Sequence, residues 1–286
     1  MTGEPSLAVV VVNYNAGPHL YQCLRSLREA AGDAALEMVV VDNASRDGSL
    51  DTAEGAFPEV RVIRNDTNRG FAAAANEGIA ATSAPYVFLL NPDAEVRAGT
   101  LSGLVKVADE HPRAAAFGVL VRDPDGSLYP SARRVPGLGV GLGHAFLGLV
   151  KPDNRFSRKY TMADWDRSTE REVEWVSGSA MLLRRAALGN VGPFDEGYFM
   201  YVEDVDLCTR LRKRGWRVVF TPEVEVMHVG GVSTGRSRRM FFEHARSAAR
   251  YFERHRSPGA LAVLRPFVRA ALWLRASLAA AKVGAR

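Results

Sequence analysis

About the first hundred residues alternate apolar runs with segments of helical hydrophobic spacing. Four of the runs predict strands: Leu7 to Val12, Leu36 to Val41, Val60 to Arg64 and Tyr86 to Leu90. The first run is continuous and rich in Val, as expected of a strand that is buried on both faces. Helices are predicted between the strands, from Pro18 to about Ala30, near Ser49 to Ala56, and from Gly70 to about Thr82. This alternation predicts a doubly wound, mostly parallel α/β sheet.

Polar motifs follow the predicted strands. Asp42 to Ser45 closes the second strand, Asn68-Arg69-Gly70 follows the third, and Asn91-Pro92-Asp93 closes the fourth. In open α/β sheets, ligands bind outside the carboxyl ends of the strands. We therefore expect these motifs to converge on one cleft.

The second half of the chain has a more mixed pattern. Strands are predicted at Ala114 to Val121 and at Glu174 to Leu183, and a closing pair of strands at Arg217 to Phe220 and Val224 to His228. The apolar, Gly-rich stretch from Gly137 to Val150 has 14 residues, which is too few for a helix to span a bilayer.

Three carboxylates lie close together in the run Glu203-Asp204-Val205-Asp206-Leu207, at the start of an amphipathic helical pattern. In one interpretation they only stabilise the first turn of the helix through its dipole. In the other, one carboxylate faces a cleft while Leu207 and Leu211 pack inward. The second acidic motif, Asn91-Pro92-Asp93, lies where a strand ends and favours the second interpretation.

The charge of this chain is unevenly distributed. Of its 286 residues, 47% are apolar and 24% are charged, which is typical of a globular protein. The net charge is +5, but residues 254–286 hold seven basic and no acidic residues, which leaves 30 basic against 32 acidic residues before them. This asymmetry favours an anionic surface as partner, either a membrane or a nucleic acid. Because no nucleic-acid motif is recognised and the excess charge lies at one end, we expect no nucleic-acid partner.

Cysteine usage and the first residues indicate a reducing compartment. Cys23 and Cys208 both lie in helical patterns without metal-ligand spacing, so we expect two buried thiols rather than a disulfide. The segment from Met1 to Ser6 has no basic region and runs directly into an apolar strand, so no signal peptide is expected. These features predict a cytoplasmic protein.

A series of motifs along residues 7 to 235 resembles the family-2 inverting glycosyltransferases of the GT-A fold, in the order seen in that family. The motifs are Val11-Val12-Asn13-Tyr14-Asn15, Val41-Asp42-Asn43-Ala44-Ser45, Asn68-Arg69-Gly70-Phe71, Asn91-Pro92-Asp93, Trp175-Val176-Ser177-Gly178 and Glu203-Asp204-Val205-Asp206-Leu207. The aromatic-Glu-Asp-x-Asp-Leu-Cys run and the segment His228-Val229-Gly230-Gly231 are similar to the bacterial rhamnosyltransferase branch. The resemblance implies transfer of a sugar, with rhamnose favoured, from a nucleoside-diphosphate donor.

The resemblance also implies a divalent cation at Asp93. A cation between the two phosphates of the donor stabilises the charge of the leaving group, and Mg²⁺ or Mn²⁺ usually takes one or two protein carboxylates. This motif departs from the common Asp-x-Asp of the family because Asn91 is its first residue. By resemblance His228 contacts the metal or the diphosphate, and a neutral imidazole suits Mn²⁺ better than Mg²⁺. A capping role for Asp93 and a structural role for His228 are the alternatives.

The resemblance assigns roles to the remaining motif residues. Asn13, Asp42, Arg69 and Asn91 would bind the nucleotide sugar, with Asp42 receiving the base through its carboxylate. An inverting transfer is one in-line displacement, so it needs a base on the acceptor side and no enzyme nucleophile. We expect Asp204 to be this base.

Other residues would support the base and the acceptor. Glu203 would raise the pKa of Asp204 or orient its carboxylate. Asp206 would support the helix. Trp175 and Gly178 would shape the acceptor side, with a role as a core residue as the strong alternative for Trp175.

Other functional classes fit the sequence less well. Gly231 to Gly235 matches the hydrolase pattern G-x-S-x-G, but the only His residues after it, His244 and His255, lie in a basic helical pattern. Gly137 to Gly141 lacks the third glycine and the preceding strand of a dinucleotide site. A non-catalytic protein that binds sugar nucleotides or polysaccharides on the same fold is the main alternative. An acceptor-side base argues against it, since pure binding has no need of one.

We expect a glycosyltransferase domain at residues 1–235, divided into a nucleotide-sugar half (1–95) and an acceptor half (96–235), and a basic helical tail at 236–286. A helix from Pro258 onward would place Phe267, Trp273, Leu274 and Leu278 on one face, and Arg265, Arg269, Arg275 and Lys282 on the other. We expect this helix to lie on the anionic inner leaflet, close to a polyprenyl-linked or glycan acceptor. Packing on the body, or pairing with another subunit in a homo-oligomer, is the alternative.

Overall fold

The computed structural model describes residues 4–32, 34–230 and 237–284, in which helices cover both faces of a central sheet. Its strands are β1 (Leu7–Asn13), β2 (Leu36–Asp42), β3 (Arg61–Arg64), β4 (Tyr86–Leu90), β5 (Ala94–Val96), β6 (Ala114–Arg122), β7 (Leu128–Tyr129), β8 (Ala132–Arg133), β9 (Arg171–Glu172), β10 (Trp175–Val176), β11 (Ala180–Arg184) and β12 (Arg217–His228). Its helices are α1 (Pro18–Ala31), α2 (Ser49–Ala56), α3 (Phe71–Ala80), α4 (Thr100–Glu110), α5 (Leu138–Leu147), α6 (Arg155–Thr161), α7 (Arg185–Val191), α8 (Glu203–Lys213), α9 (Arg238–Tyr251) and α10 (Arg265–Gly284). A π-helical turn (Phe252–Arg256) and a 3₁₀ helix (Gly259–Leu264) join the last two.

The main sheet has the order β3-β2-β1-β4-β11-β6-β12-β5. Its first four strands are parallel, which confirms the doubly wound first half. β11 then pairs antiparallel with both β4 and β6, and β12 pairs parallel with β6 and antiparallel with β5. The second half is therefore mixed, as expected.

Two predicted strand boundaries in the second half are wrong. The strand expected at Glu174 to Leu183 is two strands, because the chain turns at Ser177–Ser179 and β10 pairs with β8 outside the main sheet. The closing pair expected at Arg217 to His228 is instead one long strand, β12, whose register against β6 shifts between Thr221 and Glu225. Pro222 lies in this bulge, where its missing N–H disrupts no ladder bond.

The cysteines lie in the two cores on either side of the sheet. Cys23 and Cys208 are free and fully buried, which confirms the expectation of two buried thiols. Burial raises the pKa of the Cys208 thiol to about 12, so this thiol stays protonated.

The C-terminal helix packs on the protein. α10 lies against α9 and buries the small or branched residues Val268, Ala276, Ala279 and Ala280. Arg275 Nε donates to the carbonyl oxygen of Ala145 at 3.0 Å. The expected separation of an apolar and a basic face on this helix is therefore wrong in part. The helix packs through a stripe of small residues, and the basic side chain of Arg275 points toward the protein.

The larger apolar residues of α10 point outward. Phe267, Trp273, Leu274 and Leu278 are 69%, 46%, 56% and 45% exposed. The expected helix also begins later than predicted, since the segment after Pro258 is a 3₁₀ helix. None of the helices in the described ranges is long and apolar enough to cross a membrane.

The predicted domain division stays a prediction. Residues 231–236 lie outside the described part of the chain, and so do residues 1–3. Residues 231–236 include the predicted boundary at residue 235, the hydrolase-like pattern at 231–235 and Gly231 of the His-x-Gly-Gly segment. The boundary between the halves at residues 95 and 96 falls inside β5.

Helix α3 lies unusually close to the sheet because of Gly78. A Cβ atom on this residue would lie 2.3 Å from Val10 Cγ1 and 3.2 Å from Val41 Cγ2, both on strands of the sheet. We expect Gly78→Ala to lower the free energy of unfolding by about 1–3 kcal/mol, measured by chemical denaturation, because the helix must move away from the sheet.

Gly55→Ala is the matched control, since a Cβ there meets nothing within 4 Å in α2. It should raise the free energy of unfolding by roughly 0.4–1 kcal/mol by restricting the unfolded chain. Equal effects of the two substitutions would show that close packing at Gly78 contributes nothing.

Candidate active site

A cleft opens at the carboxyl ends of β1, β2 and β4. It is lined by residues from the predicted motifs, from the aromatic run before α8 and from the start of α9: Val12, Tyr14, Asn43, Asn68, Gly70, Phe71, Asn91, Pro92, Asp93, Phe199, Met200, Arg239 and Met240. The polar motifs of the first half thus converge on one cleft.

Gly70 determines how closely the aromatic run approaches α3. Its φ of 86° lies in the left-handed region, and a Cβ there would lie 2.2 Å from the carbonyl oxygen of Phe199. The next amide, Phe71 N–H, donates to the same oxygen at 2.8 Å. Only glycine permits this contact, which places Phe199 on the wall of the cleft.

Asp93 lines the cleft, and His228 lies directly beside it without lining the cleft itself. His228 is the last residue of β12 and pairs with Ala94 of β5, which brings its ring beside Asp93. Its Nε2 lies 3.1 Å from Asp93 Oδ1 and 3.1 Å from Asn91 Nδ2. The three residues that the sequence associates with the metal and the donor are therefore in contact.

Asp93 and His228 could together ligate a divalent cation whose remaining ligands come from a bound phosphate group. Asp93 offers carboxylate oxygens and His228 an imidazole, and His228 Nδ1 is buried without a hydrogen-bond partner in the described part of the chain. No group of three or more His, Cys, Asp or Glu side chains within the described ranges could hold a metal ion. Mg²⁺ and Mn²⁺ bind through one or two protein side chains together with phosphate oxygens, so two protein ligands are sufficient.

Asp204 is held at the start of α8 by two backbone amides. Its Oδ2 accepts a hydrogen bond from Gly178 N–H at 3.1 Å, and its Oδ1 accepts one from Val205 N–H at 2.8 Å. A Cβ on Gly178 would lie 3.5 Å from the ring of Phe71, which lines the cleft. Asp204 is not among the residues that line the cleft, but it lies beside Gly178, which adjoins Phe71 on the cleft wall.

The backbone before the acidic run is strained. Tyr201 and Val202 have φ of 67° and 68°, in the left-handed region that bulky and β-branched residues avoid. Such residues persist only where surrounding contacts hold them, and they concentrate at functional sites. The strain turns the chain sharply from the cleft wall into α8.

The two neighbouring carboxyls have different proton affinities. Burial raises the pKa of Asp204, while hydrogen bonds from Gly178 and Val205 and the charge of Arg133 act against this. Burial and the charge of Asp204 raise the pKa of Glu203 well above its usual range, and Glu203 Oε2 lacks a partner in the described part of the chain. Asp204 therefore ionises first while Glu203 keeps its proton. Burial, rather than the expected charge of Glu203, is the largest cause of the raised pKa of Asp204.

Asp206 has a structural position, as expected. It is fully buried and bonds Arg210 Nε at 2.7 Å and His255 Nε2 at 2.7 Å. Burial acts to raise its pKa, but the hydrogen bonds from His255 and Arg210 lower it below the usual value. Asp206 thus joins α8 to the segment after α9.

Asn13 and Asp42 lie beneath the cleft rather than on its wall. Asn13 Nδ2 donates to Asp42 Oδ1 at 2.7 Å, Asp42 Oδ2 accepts from Ser45 N–H at 2.9 Å, and both residues are buried. The pair holds the loop that presents Asn43 to the cleft.

Arg69 and Trp175 are placed away from the cleft. Arg69 is on the surface, paired with Glu77, and is absent from the described cleft lining. Trp175 is buried and donates from Nε1 to the carbonyl oxygen of Arg134 at 3.0 Å, which agrees with a core residue. Its ring lies 5.1 Å from the guanidinium of Arg133.

Sequence reasoning missed two arginines near the site. Arg239 lines the cleft and stacks over the ring of Phe199 at 5.1 Å. Arg133 is held by Tyr129 and Tyr160 and acts electrostatically on Asp204. Each is one of two adjacent arginines in the sequence, Arg133-Arg134 and Arg238-Arg239. Such a pair indicates local positive charge, but the sequence does not show which of the two side chains points toward the site.

The sequence of this chain matches family models and named proteins. A protein-family model, Glycosyl transferase family 2, matches residues 8–192, and a second, Glycosyl transferase family group 2, matches residues 153–272. The chain is 43% identical over 241 residues to the N-acetylglucosaminyl-diphospho-decaprenol L-rhamnosyltransferase of Mycobacterium tuberculosis, covering 80% of this chain and 78% of that protein. It is 32% identical to the rhamnosyltransferase WbbL of Escherichia coli, covering 60% and 62% of the two chains.

Solved structures show the same fold at low identity. The mannosyltransferase PcManGT from Pyrobaculum calidifontis, in complex with GDP-Man and Mn²⁺, matches 98% of this chain and 76% of its own with a TM-score of 0.61 and 19% identity. GalNAc-T7 with UDP, GalNAc and Mn²⁺ matches 95% and 55% with a TM-score of 0.58 and 16% identity. The expected GT-A fold and the expected glycosyltransferase class are confirmed. By the match of its sequence over more than half its length, this chain belongs to glycosyl transferase family 2.

Proposed function

We propose that this protein transfers rhamnose from a nucleoside-diphosphate donor to a hydroxyl of an N-acetylglucosaminyl-diphospho-polyprenol, with inversion at the anomeric carbon. The observation that carries the proposal is the placement of Asp204, which is partly buried, held by the Gly178 amide and next to the cleft. The name of the relative that is 43% identical supports the donor sugar and the acceptor.

Asp204 would act as the general base. Its two hydrogen bonds to backbone amides fix the carboxylate, and its raised pKa makes it a better proton acceptor than an ordinary Asp. It removes the proton of the acceptor hydroxyl as the oxygen bonds to the anomeric carbon and the bond to the diphosphate breaks. Because the neighbouring Glu203 stays protonated, Asp204 carries the single negative charge of this pair.

The donor would bind across the cleft with its diphosphate at Asp93. Mg²⁺ or Mn²⁺, bound by Asp93 and His228, would neutralise the charge that develops on the leaving diphosphate. Asn91 would orient the His228 ring through its 3.1 Å contact, and Arg239, stacked over Phe199, would add a positive charge on the cleft wall. The Mn²⁺ in two structures of the same fold supports a divalent metal here.

The nucleotide would contact the loops that follow β1, β2 and β3. Tyr14, Asn43 and Asn68 supply polar groups on the wall, while Asn13 and Asp42 hold the loop beneath them. Arg69 would reach the nucleotide only by leaving Glu77. The alternative is a protein that binds polysaccharides or sugar nucleotides without catalysis. Such a protein has no need of an acceptor-side base, so the role of Asp204 distinguishes the two functions.

The first prediction of this proposal concerns the base. Asp204→Asn should preserve nucleotide-sugar binding but lower kcat by roughly a hundredfold or more, because a general base is lost. In the wild type, kcat/KM should fall as pH drops through a pKa above 3.8, the usual value of an Asp, since only the ionised carboxylate accepts the proton. Asp153→Asn is the control, because that side chain is 78% exposed. Full activity in Asp204→Asn would remove it from this role.

The second prediction concerns the metal. Asp93→Ala should abolish the stimulation of donor binding by Mg²⁺ or Mn²⁺, measured by calorimetry, because the carboxylate ligand is lost. EDTA should suppress turnover of the wild type, and the exposed Asp125→Ala should behave as the wild type. Undiminished transfer in EDTA would indicate a site that uses Arg or His charge instead.

We also propose that α10 lies on an anionic membrane surface at the inner face of the cell membrane. Its outward face carries Phe267, Leu274 and Leu278, with Arg269 on the same helix. Burial of apolar side chains together with attraction to anionic lipids drives such binding.

Surface substitutions test this placement better than deletion of residues 258–286, which would uncover the α9 face. Phe267→Ser combined with Leu274→Ser and Leu278→Ser should weaken sedimentation with phosphatidylglycerol liposomes and leave donor binding intact. Leu128→Ser, an exposed leucine on β7, is the control. Equal sedimentation of the triple variant and the wild type would favour packing or homo-oligomer contacts as the role of this face.

A further inference from the structure

A second cavity, of about 500 Å³, lies between α5, α9 and α10. This volume is in the range of sites that hold small ligands. Its walls are mainly apolar and include Leu142, Ala145, Leu264, Val268 and Leu272. The nucleotide cleft shares none of its described lining residues with this cavity, so the two are separate spaces.

One end of the cavity adjoins the proposed base. Val202 and Val205 line it, and they flank Glu203 and Asp204 in the chain. The lining also includes Leu138 and Leu261, which are 41% and 50% exposed. The cavity therefore extends from the segment that carries Asp204 to an apolar rim at the surface.

The charges around the cavity are positive. Arg256 and Arg275 line it, and neither is paired with a carboxylate in the described part of the chain, whereas Arg254 and Arg269 pair with Asp195 and Glu253. Arg275 is partly buried and Arg256 is exposed, and a partly buried cation without a counter-ion favours an anionic ligand.

The other titratable groups of the wall add no charge. His144 and His244 also line the cavity, and burial lowers the pKa of both, that of His244 to about 4. Both rings are thus neutral at neutral pH. An apolar channel with two arginines is complementary to an amphiphile with a long apolar chain and an anionic head.

Arg133 connects the cavity to the base. Its guanidinium lies 5.6 Å from the ring of Tyr160, a cavity residue, and its charge acts on both His244 and Asp204. It is itself paired with no carboxylate among the described residues. Arg133 does not line the cavity itself, but its charge acts both on His244 in the cavity wall and on the proposed base.

We propose that this cavity binds the first isoprene units of the acceptor lipid, with the diphosphate of the lipid beside Arg133 and Arg275. The inference rests on the proposed function, because a diphospho-polyprenol acceptor carries its sugar, its two phosphates and its chain in this order. The sugar hydroxyl would then meet Asp204 while the chain leaves over Leu138 and Leu261. A phospholipid would fit the apolar walls but carries no sugar to place at Asp204.

Substitutions that fill the cavity should weaken the binding of acceptors with a long chain and leave the binding of short-chain acceptors unchanged. Leu272→Trp narrows it from α10, and Gly141→Leu narrows it from α5, where a Cβ would lie 3.7 Å from the nearest atom, Pro136 Cβ. Leu128→Trp, at an exposed position of β7 outside the cavity, is the matched control. KM is measured for N-acetylglucosaminyl-diphospho-decaprenol and for the same headgroup on a butyl chain.

We expect KM for the decaprenyl acceptor to rise about tenfold in Leu272→Trp and Gly141→Leu, as when burial of a few methylene groups is lost. KM for the butyl acceptor should stay unchanged, and Leu128→Trp should match the wild type with both acceptors. Donor binding verifies that each variant is folded, and either variant suffices for the test. Unchanged KM for the decaprenyl acceptor, or an equal rise for both acceptors, overturns the inference while the proposed function stands.

A binding measurement separates the inference from the proposed function. A decaprenyl diphosphate with a diazirine on its first isoprene units should crosslink to α5, α9 or α10, and Leu272→Trp should reduce the yield. Crosslinking there by a wild type that transfers no sugar would support the cavity site and refute the proposed function. Equal competition by phosphatidylglycerol would show a general lipid site and overturn the inference.

Discussion

The turn Ser177–Ser179 holds the two halves of the candidate site together. Gly178 N–H donates to Asp204, and the carbonyl oxygen of Ser179 accepts from Asn91 N–H at 2.9 Å. Ser177 N–H donates to the carbonyl oxygen of Ser131 at 2.7 Å, which ties the same turn to the strand that leads to Arg133. The segments that carry Asp204, Asn91 and Arg133 thus all bond to one backbone turn. A Cβ at Gly178 would lie 3.5 Å from the ring of Phe71 and 3.8 Å from Asp204 Cβ, at ordinary van der Waals contact, so the turn lies between the cleft wall and the proposed base.

The acidic run of α8 shows how environment separates chemically similar groups. Asp206 is buried but has Arg210 and His255 as partners, so it stays ionised and stabilises the packing of α8. Glu203 is buried without a counter-ion, and its carboxyl keeps the proton. Asp204 lies between these cases, with two amide donors and the nearby charge of Arg133. A carboxyl in such an intermediate environment can ionise and, with its raised pKa, accept a proton more readily than an ordinary Asp.

The C-terminal helix illustrates a limit of helical-face arguments. Large apolar residues mark the face of a helix with the highest hydrophobicity, but close packing between helices needs small residues. α10 packs on the protein through Val268, Ala276 and Ala279. The larger residues, such as Phe267 and Leu274, are thereby left at the surface. This arrangement closes one wall of the second cavity and presents an apolar face outward, so one helix can serve both a lipid chain and a membrane surface.

The sequence by itself determined the first half of the fold, because buried parallel strands and their helices are local patterns with distinct periods. It also placed Asn91, Asp93 and Asp204 near strand or helix ends, where chain direction alone brings them toward one cleft. It could not decide that Asn13 and Asp42 pair with each other beneath the cleft, or that Arg69 pairs with Glu77 on the surface. Hydrogen bonds and ion pairs between distant segments depend on side-chain directions that only packing sets. The same reason hid Arg133, Arg239 and the second cavity, since each arises where elements far apart in the chain meet.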